Sequence, residues 1–86
     1  MSEDLLTFPL EFPVKVMGRS APDFVELVTG IVSDHTGALA EEAVAVRDSR
    51  KGNFVSVTVT FTATSREQLD AVYRALSGHE RVLMVL

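Results

Sequence analysis

The chain contains no cysteine, which excludes disulfides, thiolate nucleophiles and thiolate metal sites. Long apolar runs are missing too, and none approaches the ~18 residues that a membrane span needs. Basic charge is in short supply: eight Lys and Arg stand against twelve Asp and Glu, a net charge of −4. That balance opposes loose association with nucleic acid or an anionic membrane, although a local basic patch could still act. The only two histidines, His35 and His79, fall at the ends of different predicted elements. No metal-ligand spacing is present, and adjacent Glu41 and Glu42 read as solvated loop charges rather than an acid–base pair. No catalytic residue, metal site or cofactor is therefore expected, and the chain does not read as an enzyme. The opening Met1–Asp4 is acidic where a secretory leader would be basic. A cytoplasmic protein with no membrane association is the expectation.

What is present is a core. Of the 86 residues, 47% are hydrophobic and 23% charged, a balance that suits one folded domain. The chain is organised around Phe54–Ala63, where large apolar and small hydroxyl residues alternate. Val55, Val57, Val59, Phe61 and Ala63 share one face; Ser56, Thr58, Thr60 and Thr62 share the other. Strict period-2 alternation rich in β-branched residues marks a half-buried central strand.

Before it, residues 1–8 read as a flexible N-terminal arm, and the domain proper as residues 9–86. Pro9 and Pro13 make Phe8–Pro13 an extended approach rather than a helix, and Pro13–Met17 reads as the first strand. Ser20–Asp23 has the chemistry of a helix start, with Ser20 as cap, Pro22 in the first turn and Asp23 at the positive dipole end. Phe24, Leu27, Val28 and Ile31 follow at helical spacing, and Gly37 supplies a stop. Gly30 lies inside this helix, and close packing is the only reason the pattern offers for it. Glu42–Val46 reads as a strand of a hairpin whose tip carries Arg50 and Lys51, with Arg47 nearby. Ser65–Gln68 forms a capping box ahead of a second helix with Leu69, Val72, Tyr73 and Leu76 on one stripe and Asp70 spaced to pair with Arg74. Arg81–Leu86 is the last strand.

Strand, helix, strand, strand, helix, strand with right-handed crossovers predicts an α+β fold. It is a ferredoxin-like βαββαβ sandwich with a four-stranded antiparallel sheet of order 4-1-3-2 and both helices on one face. This fold hosts many activities, so function must be read from sites. The turn Gly18, Arg19 and Ser20 offers helix-start amides and a cation to a small anionic ligand. The sheet face away from the helices offers Met17, Leu83 and Val85 to a protein partner. The expected function is a small non-catalytic regulatory or binding module, acting through a protein partner or a small anionic metabolite. The alternative is an RNA-binding domain using the open sheet face and the basic hairpin tip, where Lys51, Gly52 and Phe54 echo an RNA-recognition strand. Only Phe54 could stack a base there, so nucleic acid is disfavoured.

Lys15-Val-Met-Gly18, Lys51-Gly-Asn-Phe54 followed by Ser56-Val57, and the ending Val82-Leu-Met-Val-Leu86 resemble the YbeD-like family of small bacterial proteins without an assigned role. The Phe-Pro approach to the first strand fits as well, and the likeness runs from about Phe8 to Leu86. The resemblance implies an ACT-like fold, a regulatory role rather than catalysis, and an association with lipoate metabolism. The charge-free last strand, at a sheet edge, calls for a cover: either the Leu5–Phe12 arm folds across the edge or the open face, or a second copy pairs edge to edge as in ACT domains. A homodimer with the arm nearby is the expectation. The turn Gly18–Asp23 places glycine before proline, the reverse of the ACT sensing loop, so amino-acid binding is not part of the expectation.

Overall fold

A computed structural model describes residues 6–86. The elements are β1 (Leu10–Arg19), α1 (Phe24–Thr36), a single 3₁₀ turn (Glu41–Ala43), β2 (Val44–Asp48), β3 (Phe54–Ala63), α2 (Arg66–Ser77) and β4 (Val82–Val85). All strand pairs are antiparallel, in the order β2-β3-β1-β4, which read from the other edge is 4-1-3-2. Both helices pack on one face of the sheet, giving the ferredoxin-like, ACT-like sandwich.

The first strand is longer than its prolines suggest. β1 pairs with β3 without a break, from Leu10 opposite Ala63 to Arg19 opposite Phe54. Pro13 lies inside this ladder, opposite Thr60. The reason is its side of the strand. Lys15 exchanges both backbone bonds with Leu86, at 3.1 and 2.8 Å, and backbone groups alternate sides along a strand. Pro13 therefore turns its nitrogen toward β4, beyond the last β4 residue that pairs. No ladder bond is lost, which is the condition under which a strand tolerates proline. Residues 1–5 of the expected arm lie outside the described residues. Leu6 and Phe8 pack against the core.

The interior is one cluster. Val14 and Val16 of β1 meet Val55, Val57, Val59, Phe61 and Ala63 of β3 under Phe24, Val28, Val32, Leu69, Val72 and Leu76. The alternation in β3 thus sorts its residues between faces as expected. The stripe of α1 is rotated from the expected one. Phe24, Val28 and Val32, four residues apart, are fully buried, while Leu27 and Ile31 are only partly covered. Gly30 does not serve close packing, since a Cβ there would meet nothing within 4 Å. Replacing Gly30 with alanine should accordingly stabilise the fold by roughly 0.5–1 kcal/mol, because only the entropy of the unfolded chain changes. A urea series that showed a loss instead would reject this reading of the position.

Helix starts are fixed by chemistry of two kinds. At α2 the Ser65 hydroxyl accepts from the Gln68 amide at 3.1 Å, as the capping box predicts. The Gln68 carbonyl oxygen reaches back to the Thr64 amide at 2.8 Å, and its Nε2 donates to the His35 carbonyl at 3.0 Å. One side chain therefore closes the start of α2 and covers the end of α1. At α1 the expected Ser20 cap is absent. The Ser20 amide donates to the Asn53 carbonyl at 3.0 Å, which continues the β1–β3 pairing one step further, and the helix starts after Asp23. The Asp23 carboxylate is gripped from the turn just before β4, where Arg81 Nη1 and Nη2 donate to its two oxygens at 2.9 and 2.8 Å. On α2, Asp70 is met by Arg66 at 3.8 Å rather than by Arg74.

The Arg81 fork, as a hydrogen-bond donor, holds the Asp23 carboxyl below its ordinary pKa. A carboxylate with a depressed folded pKa stabilises the fold above its unfolded value, and that contribution vanishes as pH falls through the folded value. The stability gap between the wild type and Asp23→Asn should then be constant near neutrality and close below about pH 4. Urea midpoints measured from pH 7 to 3 would check it, and a gap that widened on acidification would contradict the assigned ion pair.

Candidate functional site

Paired residues share a sheet face and neighbours alternate, so the register lays out the open face row by row. One row runs Arg47, Ser56, Met17, Met84 from β2 to β4. The next runs Ala45, Thr58, Lys15, and then Leu86, which bonds to Lys15. At the hairpin end Arg19 lies opposite Phe54, its guanidinium 5.6 Å from the ring centroid. The face is graded across its width. The β4 side is apolar, the middle is a low floor of small hydroxyl side chains, and the β2 side is cationic.

The exposures are high for apolar groups: Leu83 58%, Met84 50%, Leu86 60% and Phe54 40%. Three cations, Lys15, Arg19 and Arg47, stand on the same face, with Arg50 and Lys51 on the adjoining hairpin. That turn is built by Ser49, whose hydroxyl accepts from the Phe54 amide and whose carbonyl accepts from Gly52. Gly52 takes a φ of 75° there, where a side chain would be strained. A shallow hollow of about 200 Å³ lies among Lys15, Met17, Arg47, Asp48, Phe54 and Ser56. A second, of about 260 Å³, lies across Arg19 among Ala21, Glu80, Arg81 and Leu83. A larger hollow, about 610 Å³, is at the opposite end, between Glu11, Glu42, Thr60 and Thr62.

Gly18, Arg19 and Ser20 are not brought together as an anion cradle. Gly18 is buried within β1, its Cα hydrogen facing the Phe24 ring and the Arg81 carbonyl. Arg19 is drawn over Phe54 on the open face, and the Ser20 amide is committed to Asn53. The helix start carries the Asp23 carboxylate, which would repel a second anion. Of the partner residues expected, Met17 is on the open face and Leu83 is exposed beside a bulge, where the β1–β4 register shifts. Val85 belongs to the other side. It lies opposite Val16 and packs on the core, so the open-face position is Met84.

The histidines take structural roles. The His35 carbonyl receives Gln68, and the His79 Nδ1 accepts from the Arg81 amide at 3.1 Å in the turn before β4. Among the described residues no group of three His, Asp or Glu is placed to hold a metal ion, and no helix is long and apolar enough to cross a membrane. Tyr73 stacks edge-on against Phe12, with centroids 6.4 Å apart, and donates to the Leu86 carbonyl at 3.3 Å. Burial raises its phenol pKa.

Fold and face together define a small ACT-like sandwich with one sheet face covered by helices and the other left open among the described residues. Residues 3–86 match the model of a protein family described as of unknown function, DUF493. The chain belongs to that family, also called UPF0250, which contains YbeD of E. coli. It is 45% identical to a UPF0250 protein of Paraburkholderia phytofirmans over 86 residues, covering 100% of this chain and 97% of that one. A UPF0250 protein of Chromobacterium violaceum is 48% identical over 84 residues, 98% of this chain and 94% of that one. The solution structure of protein HP0495 from H. pylori superposes with a TM-score of 0.71 at 10% identity, covering 98% of this chain and 88% of that one. At that identity it speaks for the fold alone.

Proposed function

We propose that this chain is a small non-catalytic regulatory module that acts by binding a protein partner on its open sheet face. The observation that carries the reading is the exposed Met84, Leu86 and Phe54 beside Lys15, Arg19 and Arg47 on one surface left open among the described residues. Size favours a protein over a small anionic metabolite as the main ligand. Enclosed small-molecule sites run to about 300–1,000 Å³, whereas the two cationic hollows hold about 200 and 260 Å³. Two hollows do reach that size, of about 610 and 310 Å³, but Glu11 and Glu42 line the first and Glu26 the second, the wrong charge for a carboxylate or phosphate. A lipoate-linked role is therefore better sought in the partner than in a bound lipoate. RNA finds a poor platform, because the single aromatic, Phe54, is already covered by Arg19.

Affinity capture from native extract, with wild type, Met84→Asp and Arg47→Glu compared and with proteins, metabolites and RNA all analysed, tests the reading. A protein retained by the wild type and lost with both variants is the expected result. Equal retention by all three would remove the open face from consideration, and a ribonuclease-sensitive capture would favour RNA. The other expected partner, a second copy, would pair along the outer edge of β4, which carries no charge or proline to discourage it. Val85→Lys would disturb the core rather than test this, so Leu83→Lys is the suitable probe. Sedimentation should show a dimer for the wild type and a monomer for Leu83→Lys; a wild type monomeric at high micromolar concentration rejects the pairing.

A further inference from the structure

The open face is uneven in a way that selects a kind of partner. Its apolar strip, Met17, Met84 and Leu86, follows β1 and β4, while Arg47 stands on β2 at the opposite edge. Strands are spaced by about 4.8 Å, so the β4 and β2 columns lie roughly 14 Å apart. A helix with its side chains is about 10–12 Å across. One helix running along the strands would thus rest its middle over β1 and β3 and reach both columns with its flanks. An added extended segment could not, because its sheet-facing side chains form a single line. The floor between the columns suits such an approach. Ser56, Thr58 and Ala45 are small and leave room for a helix to settle, with Lys15 beneath it.

Charge chooses the sign. Five of the chain's eight Lys and Arg, namely Lys15, Arg19, Arg47, Arg50 and Lys51, lie on this face and its hairpin, in a chain of net charge −4. Of the carboxylates near them, Glu11 lies at the far end of β1, Asp48 borders the hollow with Lys15 and Arg47, and Glu80 borders the one with Arg19, so the cations still outnumber the carboxylates on this side. We infer that the partner docks as an acidic amphipathic helix, its apolar stripe on Met17, Met84 and Leu86 and its carboxylates toward Arg47 and the hairpin. This rests on the open-face reading given above and adds the chemistry and pose of the occupant.

The test is a selection that does not presuppose the answer. A display library of randomised helical peptides of about four turns, ~22 Å long, is panned on the full chain. Enriched peptides are then measured by fluorescence anisotropy on wild type, Met84→Asp and Arg47→Glu, whose folding is checked by circular dichroism. The expected consensus has apolar residues at i, i+3, i+4 and i+7 flanked on one side by Asp or Glu. Affinity should fall about tenfold with Met84→Asp and about fivefold with Arg47→Glu. It should also weaken as salt rises from about 0.05 to 0.5 M. Peptides that are sensitive to Met84→Asp but carry neutral or basic flanks would overturn the acidic helix while leaving the open-face reading standing. If no enriched peptide is sensitive to either variant, or a random RNA pool binds with that sensitivity and no peptide does, both fail.

Discussion

Gly18→Ala is expected to be among the most damaging single substitutions in this chain, although it adds one carbon. A Cβ at that position would lie 2.5 Å from Cε1 and Cζ of Phe24 and 2.7 Å from the Arg81 carbonyl oxygen. Neither neighbour can give way cheaply. Phe24 is fully buried at the start of α1, and the Arg81 oxygen is backbone in the segment leading into β4. The glycine also sits where the β1–β4 register shifts. Overpacking a well-filled site costs about 1–3 kcal/mol and sometimes more, and here the upper part of that range applies. The urea midpoint of Gly18→Ala should fall correspondingly, while Gly30→Ala, the same change in open space, should raise it. Adding Phe24→Leu to Gly18→Ala should recover part of the gap by removing the ring, though not the clash with the carbonyl. A midpoint for Gly18→Ala within about 0.5 kcal/mol of the wild type, the usual range of a surface change, would sink the close approach of these three segments.

Much of the architecture is written in local pattern, and the departures have definite causes. The alternation of β3 carries enough information to sort Val55 through Ala63 between faces, because a strand buried on one side must follow period 2. Ser65 caps α2 as its spacing requires. Pro13 misleads because the rule it invokes concerns a lost hydrogen bond, and whether a bond is lost depends on where β4 stops. Ser20 and Asp23 are both good caps by chemistry. What separates them is the pairing of Ser20 with Asn53, a contact made across 33 residues of chain. The stripe of α1 has apolar residues at Phe24, Val25, Leu27, Val28, Ile31 and Val32, so two overlapping stripes fit the text. Packing against the sheet selects the one through Val32.

The candidate site was harder to read for a related reason. Val82–Leu86 is apolar throughout, so it holds no alternation from which a face could be assigned. The bulge between Met17 and Gly18 shifts the β4 register, and only the pairing of Val16 with Val85 shows that Met84, not Val85, looks outward. The cations were legible singly but not as a set. Lys15, Arg19 and Arg47 come from two strands, and the hairpin places Arg50 and Lys51 beside them. One signal was available in advance: Lys15 and Met17 flank Val16, so they had to share the face opposite a core residue.

Truncating the helix-facing side of β3 should separate the two faces by energy. Val57 is fully buried opposite Val16 and Val46, and Phe61 is nearly so opposite Phe12. Phe61→Ala leaves a cavity between the sheet and the helix layer and should cost about 3–5 kcal/mol; Val57→Ala, losing two methyl groups, should cost roughly 2 kcal/mol. Thr58, between them in sequence, turns to the open face and is half-covered. Thr58→Ala removes no core volume and should cost less than about 1 kcal/mol, the span of strand propensity. Denaturant midpoints for the three variants would check the order Phe61, Val57, Thr58, and Thr58→Ala costing more than Val57→Ala would reverse the assignment of the faces. The two core sites are four residues apart on one strand, about 13 Å, and share no paired neighbour. Their effects should therefore add within about 0.5 kcal/mol in the double variant. A large excess over the sum would mean that the cavities merge beneath α2, and that the helix layer rests on β3 as a single sheet of contacts rather than as separate ones.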